Sequence, residues 1–267
     1  MKIAILLPFK DTYTKDKAGS ASIWVKDFIK HSKYKKKISI YGYIKNLDKK
    51  ILIDSKKYKN INYNFDYYVG SKNKKYVELF NGLIKKEKID LVEIHNRPSY
   101  IQFLDTNLKK IIIFHNDPLT LKGSISISER SNIINECEKI IFVSNWVKER
   151  FFEGFKVKNH NKCKVVYPSI GKLNKFPKKQ NLIIFVGKLN KSKGYNLFGL
   201  AIQKILKEFK NWKSVVIGDE PREKYNFRHK NLKLTGWLNH SDTLKYYAKS
   251  KIAVSPSLWE EPFGRTS

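Results

Sequence analysis

The chain has 267 residues, 41% of them hydrophobic and 13% aromatic, which is enough apolar material for one large domain or two small ones and too much for disorder throughout. Its two cysteines, Cys137 and Cys163, exclude a disulfide framework and suit a reducing cytosol, while no apolar run approaches the roughly 18–20 residues of a membrane span and the N-terminal run is too short for a signal-peptide core. The formal net charge of +30 attracts polyanions, but a chain crowded with Lys, Asn and Ile reaches such a charge by composition alone, so charge does not establish a nucleic-acid binder.

Strand-like and helix-like segments alternate along the chain. Residues 2–7 read as a buried strand. A polar loop containing Gly19 leads into an amphipathic helix over 20–30, and 38–43 is a second strand. Residues 45–70 carry weak strand signals at 51–53 and 61–65. The spacing of Val77, Phe80, Leu83 and Ile84 predicts a helix over 74–88. Short apolar strands follow at 91–95, 111–115 and 140–143, and Ser144 is placed to cap a helix. A further strand at 165–167 is closed by Pro168. Residues 168–179, with Gly171 and Pro177, read as a linker. The pattern then restarts with a strand at 182–186, a loop at 187–194 and a helix at 196–209. Strands at 215–217, 232–235 and 252–255 and a helix at 241–249, capped by Ser241, complete it. Alternation with near-continuous apolar strands means parallel sheets covered on both faces. The expectation is therefore an α/β chain of two Rossmann-like domains, 1–170 and 180–267, joined by 171–179. The first has about seven strands and the second four, so the second is expected to be incomplete at its C-terminus.

Ligands of open parallel sheets bind outside the carboxyl ends of the strands, so the residues that follow strands are the candidates. Ala18-Gly19-Ser20-Ala21 opens a helix, where backbone N–H groups meet a phosphate or sugar oxygen, or where an ordinary helix cap sits. His95-Asn96-Arg97-Pro98 and His115-Asn116-Asp117-Pro118 are parallel strand endings. Their histidines are suited to orienting a sugar hydroxyl or moving a proton, and equally to plain structural hydrogen bonding. A metal site built from His95, His115 and Asp117 is a lesser alternative. Gly187-Lys188 with Lys193-Gly194 combines a strand, a glycine turn, two cations and a helix start, the parts of a diphosphate cradle; it is not a Walker loop. The segment from Ser255 to Thr266 directly follows a strand and is the most specific signal: Glu261 offers an acceptor for hydroxyls, and Trp259 and Phe263 are open to a role in loop packing.

In the order of these motifs the chain resembles a family 4 glycosyltransferase of the two-domain GT-B fold. The carrying residues are the Gly19 loop, His115-Asn116-Asp117, Val143-Ser144-Asn145, Gly187-Lys188 with Lys193-Gly194, Ile217-Gly218-Asp219 and Pro256 through Thr266. The resemblance implies a retaining transferase that moves a hexosyl group from a nucleotide-sugar donor to an acceptor hydroxyl, with the acceptor on the N-terminal domain and the donor on the C-terminal one. It implies that Lys188 and Lys193 neutralise the donor diphosphate, with lysine at 188 where many members have arginine. It also implies that Glu261 contacts the donor sugar, that His115 lies near the transferred sugar, and that the backbone at Phe263 and Gly264 faces donor oxygens. The second glutamate of the family's Glu-x7-Glu pattern falls at 269, past the last residue, so a truncated chain is expected.

The implied role is envelope polysaccharide or glycolipid assembly, with a glycan or glycolipid acceptor, no metal and no cofactor. A cytoplasmic location follows from the same reading. The lysine runs at 33–37, 72–75 and 85–88 are open to peripheral contact with anionic lipid at the inner membrane face, or to simple solvation. No nucleic-acid partner is expected. A basic nucleic-acid-binding module and a non-catalytic remnant are the alternative readings. Adjacent Glu260 and Glu261 cannot flank a sugar as two hydrolytic carboxylates do, which argues against a glycosidase.

Overall fold

The computed structural model describes residues 1–169 and 177–264. The middle of the linker, 170–176, and Arg265 and Thr266 of the loop motif lie outside the described residues. The chain divides into two compact units, Met1–Ile170 and Gly171–Ser267.

The first unit begins with β1 (Ile3–Leu6), α1 (Ser20–His31), β2 (Ile38–Gly42), β3 (Tyr58–Asn60), α2 (Lys72–Glu87) and β4 (Leu91–His95). It continues with β5 (Lys109–Phe114), α3 (Ile127–Glu136), β6 (Lys139–Phe142), α4 (Asn145–Phe151) and β7 (Cys163–Val165). All seven strands are parallel, in the order β3-β2-β1-β4-β5-β6-β7. The chain winds outward from β1 to β3, then returns to the other side of β1 with β4. The order therefore reverses between β1 and β4, and the loops leaving those two strands diverge to leave a crevice. The strands form because their apolar residues are buried on both faces: Ile3, Ile5, Ile38 and Ile40 pack with Val25 and Ile29 of α1. Ser126 and Glu129 start α3 with a reciprocal capping box. The Ser144 hydroxyl caps α4 by accepting from the Val147 N–H, as the sequence predicts.

The second unit has β8 (Gln180–Val186), α5 (Tyr195–Glu208), β9 (Lys213–Ile217), β10 (Leu232–Leu234), α6 (His240–Lys249) and β11 (Ser250–Val254). These strands are also parallel, in the order β10-β9-β8-β11, so this sheet reverses between β8 and β11. Among the described residues no helix is long and apolar enough to cross a membrane.

Three local expectations are corrected. Neither apolar cluster between 45 and 70 forms a strand. Lys49–Ile51 makes a short 3-10 turn capped by Asp48, and the third strand is Tyr58–Asn60, anchored by the buried Tyr58 ring stacked on Tyr13. The last strand of the first sheet is Cys163–Val165, not 165–167, because its pairing with β6 runs from Cys163 to Val165, and the Val166 and Tyr167 side chains that follow are exposed. Helix α6 starts one residue earlier than expected. Its cap is Asn239, whose Oδ1 accepts from the Asp242 N–H at 2.9 Å, while Ser241 lies inside the first turn.

Candidate functional site

The reversal point of the first sheet holds a pocket of about 300 Å3 lined by the loop after β1, the start of α1 and the ends of β4 and β5. Lys10, Asp11, Ser20, Arg97, His115 and Asn116 contribute to its wall. The two strand-end histidines meet here for a geometric reason. Side chains two apart on a strand share a face. Glu93 and His95 are such a pair, and His95 stands beside Ile113, two residues before His115, in the β4–β5 register. His95 Nε2 lies 2.8 Å from Glu93 Oε1, and His95 Nδ1 lies 2.9 Å from His115 Nε2. His95 is fully buried, Glu93 nearly so, and His115 half-buried at the pocket wall. The Trp24 ring of α1 meets both imidazoles edge-on, at centroid distances of 5.2 and 5.8 Å.

Asn96 braces the two endings. It is left-handed, with φ of 55°, and its Oδ1 accepts from the backbone N–H groups of His115 and Asn116, each at 3.1 Å. Asp117 is drawn away from the pocket. Its carboxylate accepts from the Leu119 N–H and from Arg150, whose Nε and Nη2 are both 3.1 Å from Oδ2. His95, with both ring nitrogens engaged, and Asp117, bound by Arg150, therefore do not join His115 in a metal-binding trio. Neither lines the pocket, whereas Asn116 does.

Gly19 is the N-terminal cap of α1, one of the two alternatives the sequence left open, and it has a second role. A Cβ at Gly19 would lie 2.6 Å from Asp11 Oδ2, so the absence of a side chain makes room for the Asp11 carboxylate. That carboxylate stands beside the helix start, where a phosphate or sugar oxygen was expected, and accepts from the Ser22 hydroxyl at 2.6 Å. Burial pushes the Asp11 carboxyl above its ordinary range, against the opposing hydrogen bonds of Ser22 and Gly19 and the nearby His95. A carboxyl whose folded pKa is raised binds its proton more tightly folded than unfolded, so its ionisation erodes stability as pH climbs above about 3.8. Asp11→Asn is accordingly expected to gain melting temperature relative to the native chain between about pH 4 and about pH 7. A difference between the two proteins that stays constant across that range, followed by thermal denaturation, would refute the assignment.

In the second unit the reversal point brings together the loops after β8 and β11. The first loop folds on itself: Asn190 Oδ1 accepts from the Lys193 N–H at 3.0 Å and from the Ser192 hydroxyl at 2.9 Å. Gly194 then caps α5 at a φ of 69°, and a Cβ there would overlap the Pro256 carbonyl oxygen, so only glycine lets the two loops close. Leu258 N–H adds a bond to the Ser192 carbonyl at 2.9 Å.

The Lys193 ammonium is thereby brought onto Glu261 Oε1, which also accepts from the Ser257 hydroxyl at 2.8 Å and from Trp259 Nε1 at 3.1 Å. Lys193 Nζ lies 4.9 Å from the centre of the Trp259 ring. Burial favours the neutral form of Glu261, but the hydrogen bonds from Lys193, Ser257 and Trp259, with the lysine charge, outweigh it and hold the carboxyl below its ordinary value.

Lys188 is exposed at the mouth of the same loop. It faces Glu220, which accepts two bonds from Arg222, at 2.6 and 2.8 Å, and is held down to about 2 first by those bonds and last by the Lys188 charge. Phe263 and Gly264 follow Glu261 in the same loop, with Gly264 at a φ of 67°.

The structure thus brings Gly187, Lys193 and Glu261 together, leaves Lys188 exposed on the same loop with its charge acting on Glu220, and places Ser20, His115 and Asn116 around one pocket. Sequence reasoning missed Glu93, Asp11, Ser257 and the bonding role of Trp259. A signal existed for Glu93, since one carboxylate inside the otherwise apolar strand Leu91-Val92-Glu93-Ile94 has to find a buried partner.

Comparison with known proteins supplies the context. Over 234 residues the chain is 24% identical to the spore coat protein SA of Bacillus subtilis (strain 168), covering 74% of this chain and 62% of that protein. The chain therefore spans about three fifths of that curated relative. The structure resembles Anabaena Alr3699/HepE, solved in complex with UDP-glucose, with a TM-score of 0.69 at 13% identity over 99% of this chain and 76% of the other. It also resembles a glycosyltransferase from Rickettsia africae ESF-5, with a TM-score of 0.68 at 19% identity over 99% and 75% of the two chains. Residues 168–267 match the family model described as glycosyl transferases group 1, and the chain as a whole has the GT-B fold of two Rossmann-like α/β units.

Proposed function

We propose that this protein is a glycosyltransferase that moves a sugar from a nucleotide-sugar donor to an acceptor hydroxyl. The observation that carries the reading is the Lys193–Glu261 cluster at the reversal point of the second sheet, inside the segment that matches the group 1 glycosyltransferase model. Breaking the bond between the sugar C1 and the phosphate oxygen leaves negative charge on the diphosphate and positive character on the sugar. Lys188, Lys193 and the start of α5 would stabilise the first, and Glu261 would orient the sugar hydroxyls. In this reading the lysines supply the charge neutralisation and no metal is needed. Backbone groups at Gly187, Phe263 and Gly264 would complete the donor contacts. The pocket of the first unit, with Ser20, His115 and Asn116, would receive the acceptor.

The finer reading is a retaining hexosyl transfer of family 4 type, acting on a glycan or glycolipid in envelope polymer assembly. A cytoplasmic enzyme held at an anionic membrane face fits the exposed turn Lys35–Lys37. UDP is the first donor fragment to test, because the structurally similar Anabaena protein was solved with UDP-glucose. Calorimetric titration of the whole chain with UDP, ADP, GDP and their glucose esters is expected to show binding of at least one nucleotide. Binding that disappears in the double variant Lys188→Ala, Lys193→Ala supports the proposal, and an absence of heat and of thermal stabilisation with every nucleotide defeats it.

A further inference from the structure

The pocket of the first unit is lopsided in charge. Lys10 and Lys17 from the loop after β1 and Arg97 from the turn after β4 line it, and Asp11 is the one carboxylate in the lining. Asp16, on the same loop, is exposed and lies outside the lining. We infer that this pocket binds a phosphorylated sugar or polyol, its phosphate held by Lys10, Lys17 and Arg97 and a hydroxyl of the same molecule donating to Asp11. That narrows the acceptor to an anionic one, a use that rests on the function proposed above, whereas the binding itself does not.

In a chain of net charge +30, lysines are common on every surface. What sets these cations apart is that they converge on a hollow from both sides of the reversal between β1 and β4, on backbone that is held in place. Arg97 is half-buried, and its Nη1 donates to the carbonyl of Asn96, the residue that braces the two strand endings, at 2.9 Å. Its charge also bears on the Tyr100 hydroxyl, which accepts from the Phe9 N–H at 3.0 Å and so ties the turn after β4 to the loop after β1. That loop is pinned on itself. Asp11 N–H donates to the Pro8 carbonyl at 2.8 Å, the Thr12 hydroxyl to the Lys17 carbonyl at 2.6 Å, and Lys17 N–H to the Thr14 hydroxyl at 3.2 Å. A planar guanidinium matches two phosphate oxygens at once, and the two ammonium groups add point charges beside it.

Asp11 decides where each end of the molecule goes. Its carboxyl group already stands beside the start of α1 and accepts from the Ser22 hydroxyl, so the phosphate is not drawn to that helix end. A carboxylate repels a phosphate at short range, which turns the phosphate toward the cations. The same group has lone pairs beyond the one that Ser22 uses, and a sugar hydroxyl is a matching donor. A phosphate without a sugar leaves Asp11 unused, and a sugar without a phosphate leaves the cations unused. The volume of about 300 Å3 lies at the lower end of small-molecule sites, roughly 300–1,000 Å3, and suits a single sugar ring with its phosphate.

Calorimetric titration of the whole chain at fixed ionic strength, with glucose 6-phosphate, glucose and inorganic phosphate as probes, tests this. Glucose 6-phosphate is expected to bind about tenfold or more tightly than glucose or phosphate, because it alone engages both ends of the pocket. Arg97→Gln and, separately, Lys10→Ala are expected to weaken it by about tenfold, while Lys193→Ala in the other unit leaves it unchanged. A lipid headgroup offers the same chemistry, so co-sedimentation with vesicles of phosphatidylglycerol in phosphatidylcholine is the second arm. Dependence on Arg97 and Lys10 with the soluble probe assigns a free sugar phosphate, and dependence with vesicles alone assigns a lipid-linked one. Losses below about threefold in both arms overturn the inference, as does binding that disappears in Lys193→Ala. Equal affinities for glucose 6-phosphate and inorganic phosphate, both dependent on Arg97, overturn the sugar contact at Asp11. If Arg97→Gln does not fold, Lys10→Ala decides, since that side chain is exposed. A chain that binds the sugar phosphate through these residues and binds no nucleotide defeats the transfer proposal and keeps this one. Nucleotide binding with no phosphate site at Arg97 does the reverse.

Discussion

Lys193→Ala is expected to weaken nucleoside diphosphate binding by at least thirtyfold, the loss of a charge-assisted contact worth about 2–3 kcal/mol. Glu261→Gln is expected to do the opposite at that step. It releases the ammonium from its carboxylate partner, so diphosphate affinity holds or rises, while sugar transfer falls because the charged acceptor for the sugar hydroxyls becomes a neutral amide. The opposed outcomes separate a working ion pair from a strut between two loops. If the two variants lower the melting temperature alike and leave nucleotide affinity untouched, the pair is structural only.

The same pair carries a pH signature. Lys193 helps hold the Glu261 carboxyl below its ordinary value of 4.5. A depressed carboxylate contributes stability that is fully present above the unfolded pKa and disappears as pH drops through the folded one. In Lys193→Ala that folded value moves upward, so the variant should lose its acid-side stability earlier than the native protein on descending pH. Denaturation followed between about pH 5 and about pH 3 measures this, and coincident acid limbs would contradict it.

Gly218→Ala is expected to destabilise the second unit by about 3 kcal/mol or more. The residue sits at a φ of 140°, and a Cβ there would collide with the Gly187 carbonyl oxygen. The neighbouring backbone has no freedom to yield, because Gly187 N–H donates to the Ile217 carbonyl at 3.0 Å and Gly218 N–H donates to the Gly236 carbonyl at 2.9 Å. Hydrogen exchange should show protection lost in β8 and β9 and kept in β1 and β4. Gly82→Ala provides the contrast. Gly82 lies in α2 with nothing within 4 Å of the point an alanine methyl would occupy, so alanine there should gain about 0.5–1 kcal/mol. Equal losses at both positions would mean that the crowding at Gly218 is not what fixes this turn.

Most of the architecture was legible because buried parallel strands announce themselves as short apolar runs. The runs at 91–95 and 182–186 read directly as β4 and β8. Tyr58–Asn60 was not, since one tyrosine between polar residues carries no periodicity and the strand exists only through pairing with β2. Lys193 and Glu261 were found by motif and by their position after strands. Their mutual contact was not, because 68 residues separate them and only the β8–β11 pairing makes them neighbours. Asp11 escaped notice for a different reason: a carboxylate in a polar loop normally faces water, and nothing local says that Gly19 leaves room for it. The histidines were singled out as a pair, but their order behind Glu93 depends on the register of β4 against β5.

Position 96 illustrates how narrow a tolerance such an arrangement leaves. Its backbone conformation favours glycine, asparagine or aspartate, and its two bonds to the His115 and Asn116 amides require a short side chain ending in an oxygen acceptor. Glycine satisfies the first demand alone, glutamine the second alone, and aspartate would set a new negative charge against the imidazoles. The workable alphabet at this site therefore shrinks to nearly one letter, and evolutionary drift there would unseat both strand endings in a single step.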